Sequence, residues 1–358
     1  MNILHVVDMI SQRKAGGSAK VPYQLGQIQA AQGHNVTIYT SDYEAREQLS
    51  PPGVNLVKFP TLINFLGGVR VTPTMIAADF KQFDIIHMHN YRTMVNIIAA
   101  SKGVPYVLQA HGSCLPIKGV TAPLHNIVWR NLIMKRCNAF IADAEMEISQ
   151  FMAEGAERDR ITMIPVGINV SEFAARPLRQ SHDKKRVLFL GRFHWNKSPD
   201  LLARAIKLLN RDDVTLVIAG VDYGYEAELR RLIAELGIES QVEYVGPCYD
   251  ADKVREYTNE DVYVMPSRYE MFGLTFLEAL ACGTPVIITD RCGSAPYLLP
   301  ECGAVVPYDA QALADAIAFS LDSRMADKWR SYRIEWVSQY DWSVLAPRIM
   351  KVYEGVLR

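Results

Sequence analysis

The chain has 358 residues. This length exceeds that of one ordinary domain and favours about two domains. Hydrophobic residues make up 49% of it and charged residues 22%, a composition that excludes a mainly disordered, collagenous or coiled-coil protein. The 38 basic and 39 acidic side chains nearly cancel, which argues against a dedicated DNA- or RNA-binding protein, so we expect no nucleic-acid partner.

The N-terminal residues and the cysteines indicate the compartment. Residues 1–8 carry no basic segment and no cleavage site, so we interpret them as a β-strand and not as a signal peptide. No apolar run approaches the roughly 18 residues that a membrane-spanning helix needs. The six cysteines contain no Cys-x-x-Cys pair, which is typical of scattered reduced thiols. We therefore expect a cytoplasmic protein.

Short segments rich in Val and Ile alternate with longer segments of helical spacing. The predicted strands are 3–7, 36–40, 54–59, 84–88, 105–109, 139–142, 161–164, 186–190, 214–219, 242–245, 261–265 and 285–289. This alternation predicts an α/β protein with parallel sheets and helices on both faces. Because so many units exceed one doubly wound sheet, we expect two domains in series.

A polar segment without a clear period, between Gly167 and Lys185, predicts the linker between these domains. The expected parts are 1–170, 171–340 and 341–358. Apolar residues at helical spacing predict a helix over 342–357.

Charge is unevenly distributed along the first domain. Between Asp84 and Asp143 the sequence has no acidic residue, but it has six basic ones. They are Arg92, Lys102, Lys118, Arg130, Lys135 and Arg136. One interpretation is an ordinary basic surface. The other is a patch that binds an anionic acceptor or places the protein at the inner face of a membrane.

The most informative segment is 265–290, in which a strand, a loop, a helix and a further strand follow one another. The loop carries Glu270 and runs through Phe272-Gly273-Leu274 into a helix that carries Glu278. A helix N-terminus can bind phosphate through its free N–H groups, and a glycine lets a ligand approach the backbone. Carboxylates accept hydrogen bonds from sugar or ribose hydroxyls. The alternative is that both acids only complement the helix dipole.

A second segment places Arg192 and Lys197 in a loop after the strand 186–190. Two cations at the carboxyl end of a strand could neutralise a diphosphate leaving group without a metal. The segment lacks the Gly-x-x-x-x-Gly-Lys pattern of a Walker A loop. The alternative is that both side chains are simply solvated.

His111 follows the strand 105–109, at the sheet edge where open α/β sheets bind ligands. We consider it a candidate catalytic residue, with a structural role as the alternative. His87 and His89, one strand earlier, are expected to be structural or supporting.

Gly16 and Gly17 follow the first strand and would allow a tight turn or the close approach of a ligand. A plain turn is the alternative, since the full Gly-x-Gly-x-x-Gly pattern is absent.

Asp250 and Asp252 form the Asp-x-Asp pattern of metal-dependent sugar transferases. Because they precede the helical segment 253–259, we expect them to cap that helix and predict no metal site.

Together these residues resemble the retaining, GT-B-fold glycosyltransferases of family 4, over nearly the whole chain. The resemblance rests on the first glycine loop, His111-Gly112, the turn 164–169, Gly191-Arg192 with Lys197, and the E-x7-E signature from Glu270 to Glu278. The signature is followed by Ala-x-x-Cys-Gly-x-Pro-Val, as in the family. Ser198 departs from the pattern, since the family commonly has glycine after the lysine.

The resemblance implies two Rossmann-like domains that face each other across a cleft, with the C-terminal helix crossing back to the N-terminal domain. Arg192 and Lys197 would bind the donor diphosphate, and Glu278 the ribose. Glu270 would hold the transferred sugar, together with the backbone of Phe272, Gly273, Leu274 and Thr275. Gly16 and Gly17 would approach the phosphates or the acceptor, and His111 would line the sugar.

The implied activity is transfer of a hexose or N-acetylhexosamine, with retention, from a UDP- or GDP-linked donor. The acceptor would be a sugar, a glycan or a lipid-linked group in glycan, polysaccharide or glycolipid biosynthesis. The departing phosphate would help to take the acceptor proton, and no metal or cofactor would be required. The alternatives are a nucleotide-sugar epimerase of the same architecture and a non-catalytic sugar-binding protein.

Overall fold

The computed structural model describes residues 1–10, 19–43, 52–64, 70–115, 122–173 and 179–358, with the backbone alone at 122–125. The chain forms two compact units. Unit 1 comprises Met1–Gly167 and Trp342–Arg358, and unit 2 comprises Ile168–Asp341.

Unit 1 is built on a seven-stranded parallel sheet. The strands of the whole unit are β1 (Asn2–Val6), β2 (Asn35–Ser41), β3 (Val54–Phe59), β4 (Ile63–Asn64), β5 (Arg70–Val71), β6 (Ile85–His89), β7 (Tyr106–Gln109), β8 (Ala139–Ala142) and β9 (Ile161–Met163), of which all but β4 and β5 belong to this sheet. Its first helices are α1 (Val21–Ala31), α2 (Met94–Ala100), α3 (Ala122–Leu132) and α4 (Glu145–Ala153). The sheet order is β3-β2-β1-β6-β7-β8-β9, and β4 and β5 form a separate antiparallel pair.

Unit 2 is built on a six-stranded parallel sheet of order β12-β11-β10-β13-β14-β15. Its strands are β10 (Lys185–Leu190), β11 (Val214–Ala219), β12 (Val242–Gly246), β13 (Val262–Met265), β14 (Val286–Thr289) and β15 (Gly303–Val306). Its helices are α5 (Pro199–Leu209), α6 (Glu226–Leu236), α7 (Asp250–Asn259), α8 (Leu274–Ala281), α9 (Ala310–Asp322), α10 (Met325–Lys328) and α11 (Arg330–Trp336).

The last helix, α12 (Trp342–Leu357), belongs to unit 1 and has the predicted bounds. The indole N–H of Trp342 donates to Gln24 on α1 at 3.0 Å, and Arg348 donates to the carbonyl of Met163 at 3.0 Å. The chain therefore returns to unit 1 after completing unit 2, as the resemblance implies.

The prediction of two Rossmann-like α/β sheets is confirmed, and the twelve predicted strands lie within one residue of their predicted ends. The core strands are apolar on both faces because helices cover both faces of a parallel sheet. Three strands were not predicted: β15, whose apolar run is only Ala304-Val305-Val306, and the two-residue strands β4 and β5.

In unit 2 the strand order reverses between β10 and β13. Open α/β sheets bind ligands outside the carboxyl ends of the strands at such a reversal. β10 ends at Leu190 and β13 at Met265, so the segments 191–198 and 266–273 begin at this point.

The predicted basic stretch is partly internal. Arg92 is 9% exposed and pairs with Glu154 at 2.8 Å, so its charge is neutralised inside unit 1 and does not contribute to a surface patch. Lys135 and Arg136 are exposed, and Lys118 lies outside the described residues. A membrane-binding patch stays a prediction. Among the described residues, the helices are all too short or too polar to cross a bilayer.

Candidate active site

Lys197 and Glu270 meet at the carboxyl edge of the unit 2 sheet. Lys197 ends a short 3-10 turn after β10, and its ammonium donates to a carboxylate oxygen of Glu270, in the loop after β13. The two side chains are 19% and 17% exposed. The structure thus joins two residues that the sequence analysis assigned to separate motifs.

Hydrogen bonds to backbone carbonyls fix both loops around this pair. The Asn196 side chain donates to the carbonyl of Tyr269 at 2.8 Å, and the Arg268 N–H donates to the carbonyl of Asn196 at 2.9 Å. The Gly293 N–H donates to the carbonyl of Glu270 at 2.9 Å. The position of the pair is therefore set by the surrounding backbone as well as by the ion pair itself.

Positive charge is concentrated in the loop after β10. Burial, and to a lesser extent the neighbouring Arg192, lower the pKa of Lys197 to about 8. Burial, Arg192 and Lys197 together lower the pKa of His194. Arg192 is exposed, with its guanidinium 5.3 Å from the ring centre of Tyr223. An anion bound here would relieve the repulsion between the two cations.

Gly273 occupies the N-cap position of α8 with φ 84°, a backbone conformation that favours glycine. A Cβ at this position would lie 2.8 Å from the sulfur of Met265 and 3.0 Å from Cγ of Glu270. Among the described residues no side chain caps this helix, so the first-turn N–H groups of Leu274 and Thr275 could bond to a ligand. The Thr275 hydroxyl is held by Tyr263, whose hydroxyl donates to it at 2.8 Å.

Phe272 anchors the loop from within the core of unit 2. Its ring is 2% exposed and lies 5.5 Å from Phe276, 6.3 Å from Tyr297 and 5.8 Å from Tyr340, measured between ring centres. Only the backbone of Phe272 is therefore accessible to a ligand.

Glu278 contacts α7, whereas Glu270 contacts the loop after β10. The Glu278 carboxylate accepts a hydrogen bond from the Tyr257 hydroxyl at 3.0 Å and pairs with the ammonium of Lys253. Burial and the nearby Glu278 raise the pKa of Tyr257. Neither partner was predicted, although both lie on the predicted helical segment 253–259.

The expected capping role of Asp250 and Asp252 is wrong. α7 begins at Asp250, its N-cap residue is Tyr249, and no side chain caps the helix. Asp252 instead pairs with Arg255 at 2.9 Å on the surface. Both acids lie in the first turn, where they complement the helix dipole. The absence of a metal site there stays a prediction.

Ser198 stands at the position after the lysine where the resemblance implies glycine. It adopts the left-handed conformation, with φ 49°. The side chain is fully buried, and its hydroxyl lies 2.8 Å from the Tyr308 hydroxyl and 3.2 Å from the carbonyl of Trp195. The buried hydroxyl contacts thus hold a left-handed turn directly after Lys197.

His111 lies in unit 1, two residues after the end of β7, with φ 51°. Its Nδ1 is 2.8 Å from a carboxylate oxygen of Asp143, and its Nε2 is 3.1 Å from Nδ1 of His89. Glu147 accepts hydrogen bonds from the N–H groups of Gly112 at 2.6 Å and Asp143 at 2.8 Å. Because both ring nitrogens have protein partners, a ligand could bond to the ring only by displacing one of them.

Asp143 and Glu147 were not among the predicted site residues. A signal was present, since Asp143 directly follows β8, the strand beside β7. The carboxyl ends of neighbouring parallel strands meet at one sheet edge, which places Asp143 near His111. Gly16 and Gly17 lie outside the described residues.

Two family models match the chain. The model "Glycosyltransferase Family 4" matches residues 15–172, and the model "Glycosyl transferases group 1" matches residues 170–336.

Relatives cover most or all of the chain. The phosphatidyl-myo-inositol mannosyltransferase of Mycobacterium leprae is 31% identical over 80% of this chain and 76% of its own. The uncharacterized glycosyltransferase MJ1607 of Methanocaldococcus jannaschii is 26% identical over 99% of this chain and 98% of its own. The crystal structure of Anabaena HepE in complex with UDP has a TM-score of 0.81 at 17% identity, over 99% of this chain and 100% of that one. This last likeness shows a shared fold.

Proposed function

The chain belongs to family 4 of the glycosyltransferases, and we propose that it transfers a hexose or N-acetylhexosamine from a nucleoside-diphosphate sugar to an acceptor hydroxyl, with retention of anomeric configuration. The observation that carries the proposal is the contact between Lys197 and Glu270, at the edge of the unit 2 sheet where the strand order reverses.

The cations of this site suit a diphosphate. Without a donor, Glu270 neutralises Lys197. A bound diphosphate would bring negative charge to Lys197 and Arg192, next to the free N–H groups at the start of α8. Glu270 would then be released from its ion pair and could accept hydrogen bonds from the hydroxyls of the transferred sugar.

The buried carboxylate of Glu278 suits the ribose of the donor. Lys253 and Tyr257 hold it in one orientation, and it is only 6% exposed. A fixed carboxylate can accept hydrogen bonds from two neighbouring hydroxyls at a small entropic cost.

The same residues can assist bond cleavage. As the bond between the anomeric carbon and the diphosphate breaks, negative charge develops on the leaving phosphate, and Lys197 and Arg192 stabilise it. The acceptor oxygen forms the new bond on the face that the diphosphate leaves, and its proton passes to a phosphate oxygen. Two side-chain cations can supply this stabilisation without an added metal ion.

Similar proteins support a nucleotide-sugar donor and suggest the chemical class of the acceptor. Solved structures of Anabaena HepE contain UDP and UDP-glucose, and the Mycobacterium leprae relative is a phosphatidyl-myo-inositol mannosyltransferase. We infer a UDP- or GDP-linked donor and an acceptor that is a glycan, a sugar or a lipid-linked polyol.

The test is incubation of the purified protein with UDP-glucose, UDP-N-acetylglucosamine and GDP-mannose, each with and without mono-, oligosaccharide and inositol-lipid acceptors. We expect acceptor-dependent release of the nucleoside diphosphate from one donor, and a product with the donor's anomeric configuration by NMR. Epimer interconversion without an acceptor would favour the epimerase, and binding without turnover of any donor would favour a sugar-binding protein.

A further inference from the structure

Three histidines lie together in the core of unit 1. His5 on β1 pairs in register with His87 on β6, and His89 follows two residues later on the same face of the sheet. All three are fully buried. One ring nitrogen from each lies within 4.8 Å of the others. The cluster is separate from Lys197, Glu270 and Glu278, which belong to unit 2.

Each ring also has a second nitrogen that bonds to a group outside the cluster. The contacts are His5 Nε2 to Gln29 Oε1 at 2.7 Å, His87 Nδ1 to the Tyr353 hydroxyl at 2.6 Å, and His89 Nδ1 to His111 Nε2 at 3.1 Å. Histidines that bind metals are typically fixed in this way by a partner at the other ring nitrogen.

The outer partners determine which nitrogens carry protons. The carbonyl oxygen of Gln29 can only accept, so His5 donates from Nε2 and its Nδ1 has a free lone pair. The carboxylate of Asp143 accepts from Nδ1 of His111, which leaves Nε2 of His111 as the acceptor for His89. His89 then donates from Nδ1, and its Nε2 also has a free lone pair. These two lone pairs face each other at 2.9 Å.

His87 supplies the third nitrogen. When its Nδ1 donates to Tyr353, its Nε2 carries a lone pair, and this buried atom has no hydrogen-bond partner among the described residues. A proton shared within the cluster would place a charge in the core. Burial opposes that charge, because it lowers the pKa of His5 to about 4 and those of His87 and His89 well below their usual range.

We propose that His5, His87 and His89 bind a divalent transition-metal ion, with Zn²⁺ as the expected occupant. Neutral imidazole is the form of histidine that coordinates metals, and three such ligands with one open position make a common zinc site. Slight opening of the 2.9 Å contact would admit the ion. The ion would connect β1 to β6 and, through Gln29 and Tyr353, to α1 and α12, so we expect it to stabilise the fold of unit 1.

The first test uses the wild-type chain. It is expressed without a tag in zinc-supplemented medium, purified without metal-affinity resin and analysed by mass spectrometry for metals. We expect about one equivalent of zinc per chain. Less than about a tenth of an equivalent of every transition metal would overturn the proposal.

The second test measures thermal unfolding with excess Zn²⁺ and with EDTA. A ligand that binds only the native state raises the apparent Tm, so the wild type should unfold at a higher temperature with zinc. His87→Gln should lose both the metal and this difference, whereas His182→Gln, at an exposed histidine outside the cluster, should retain both. Equal Tm values for the wild type in zinc and EDTA would refute the site, whether or not His87→Gln folds.

Discussion

Lys197 and Glu270 form an ion pair across 73 residues of sequence. The contact exists because their loops follow β10 and β13, which are neighbours in the sheet although β11 and β12 lie between them in the chain. The topology of unit 2 thus brings a cation and a carboxylate to the point where an α/β sheet binds its ligand.

Replacing Glu270 by Gln keeps the shape of the side chain and removes its charge. Loss of one preorganised charged contact typically costs about 10²–10³-fold in rate, so kcat/KM for transfer should fall by that factor in Glu270→Gln. Glu239→Gln, on the surface of unit 2, is the matched control and should leave kcat/KM unchanged. A folded Glu270→Gln variant with wild-type turnover would contradict the assigned role.

The low pKa of Lys197 predicts a pH dependence. Its pKa is about 8, so raising the pH through this value removes the proton and the positive charge that binds the diphosphate. We expect kcat/KM for the donor to decline above about pH 8. Because arginine stays protonated, Lys197→Arg should lose this decline. The same alkaline decline in both proteins would assign it to another group.

Tyr257 should act through Glu278. Tyr257→Phe removes a hydrogen bond to a carboxylate, so the orientation of Glu278 should loosen and the KM for the donor should rise about tenfold, with a smaller change in kcat. Tyr332→Phe, at a partly exposed tyrosine, is the control. An unchanged donor KM in Tyr257→Phe would mean that Glu278 does not depend on this contact.

Gly273 and Gly224 offer a matched pair of substitutions. Both adopt positive φ, 84° and 85°, but a Cβ would crowd Met265 and Glu270 at Gly273 and would meet nothing within 4 Å at Gly224. Gly224→Ala should cost about 1 kcal/mol of stability through its backbone alone, and Gly273→Ala about 1–3 kcal/mol more. Chemical denaturation measures both. Equal costs would show that the crowding at Gly273 is easily relieved.

The role of His111 in transfer can be tested without forcing its backbone. Asn tolerates positive φ, so His111→Asn keeps the turn and removes the imidazole. If the ring contributes to transfer, kcat/KM should fall at least about tenfold, with His182→Asn as the control. An unchanged rate would assign His111 to the buried network with Asp143 and His89 alone.

The sequence predicted the strands and the chemistry-bearing loops because both follow local patterns. Val- and Ile-rich runs identified β10 and β13, and the residues after them contained Lys197 and Glu270. β15 was missed because its apolar run is too short to stand out from a loop.

The partners of the site residues were harder to predict, because they depend on how distant elements pack. Nothing in the periodicity of α12 indicates that Tyr353 reaches His87, 266 residues away, and nothing in α7 indicates that Tyr257 bonds to Glu278. The capping role expected for Asp250 and Asp252 was wrong because the helix was predicted to begin at residue 253, whereas α7 begins at Asp250.

The central claim is that Lys197 binds the diphosphate of a nucleotide-sugar, and calorimetric titration with UDP and GDP tests it most directly. The wild type should bind one of the two at least about tenfold more tightly than it binds the corresponding nucleoside, and Lys197→Ala should lose that difference, whereas Lys207→Ala on the surface of α5 should keep it. Equal affinities of the wild type and Lys197→Ala for both nucleotides would contradict the account.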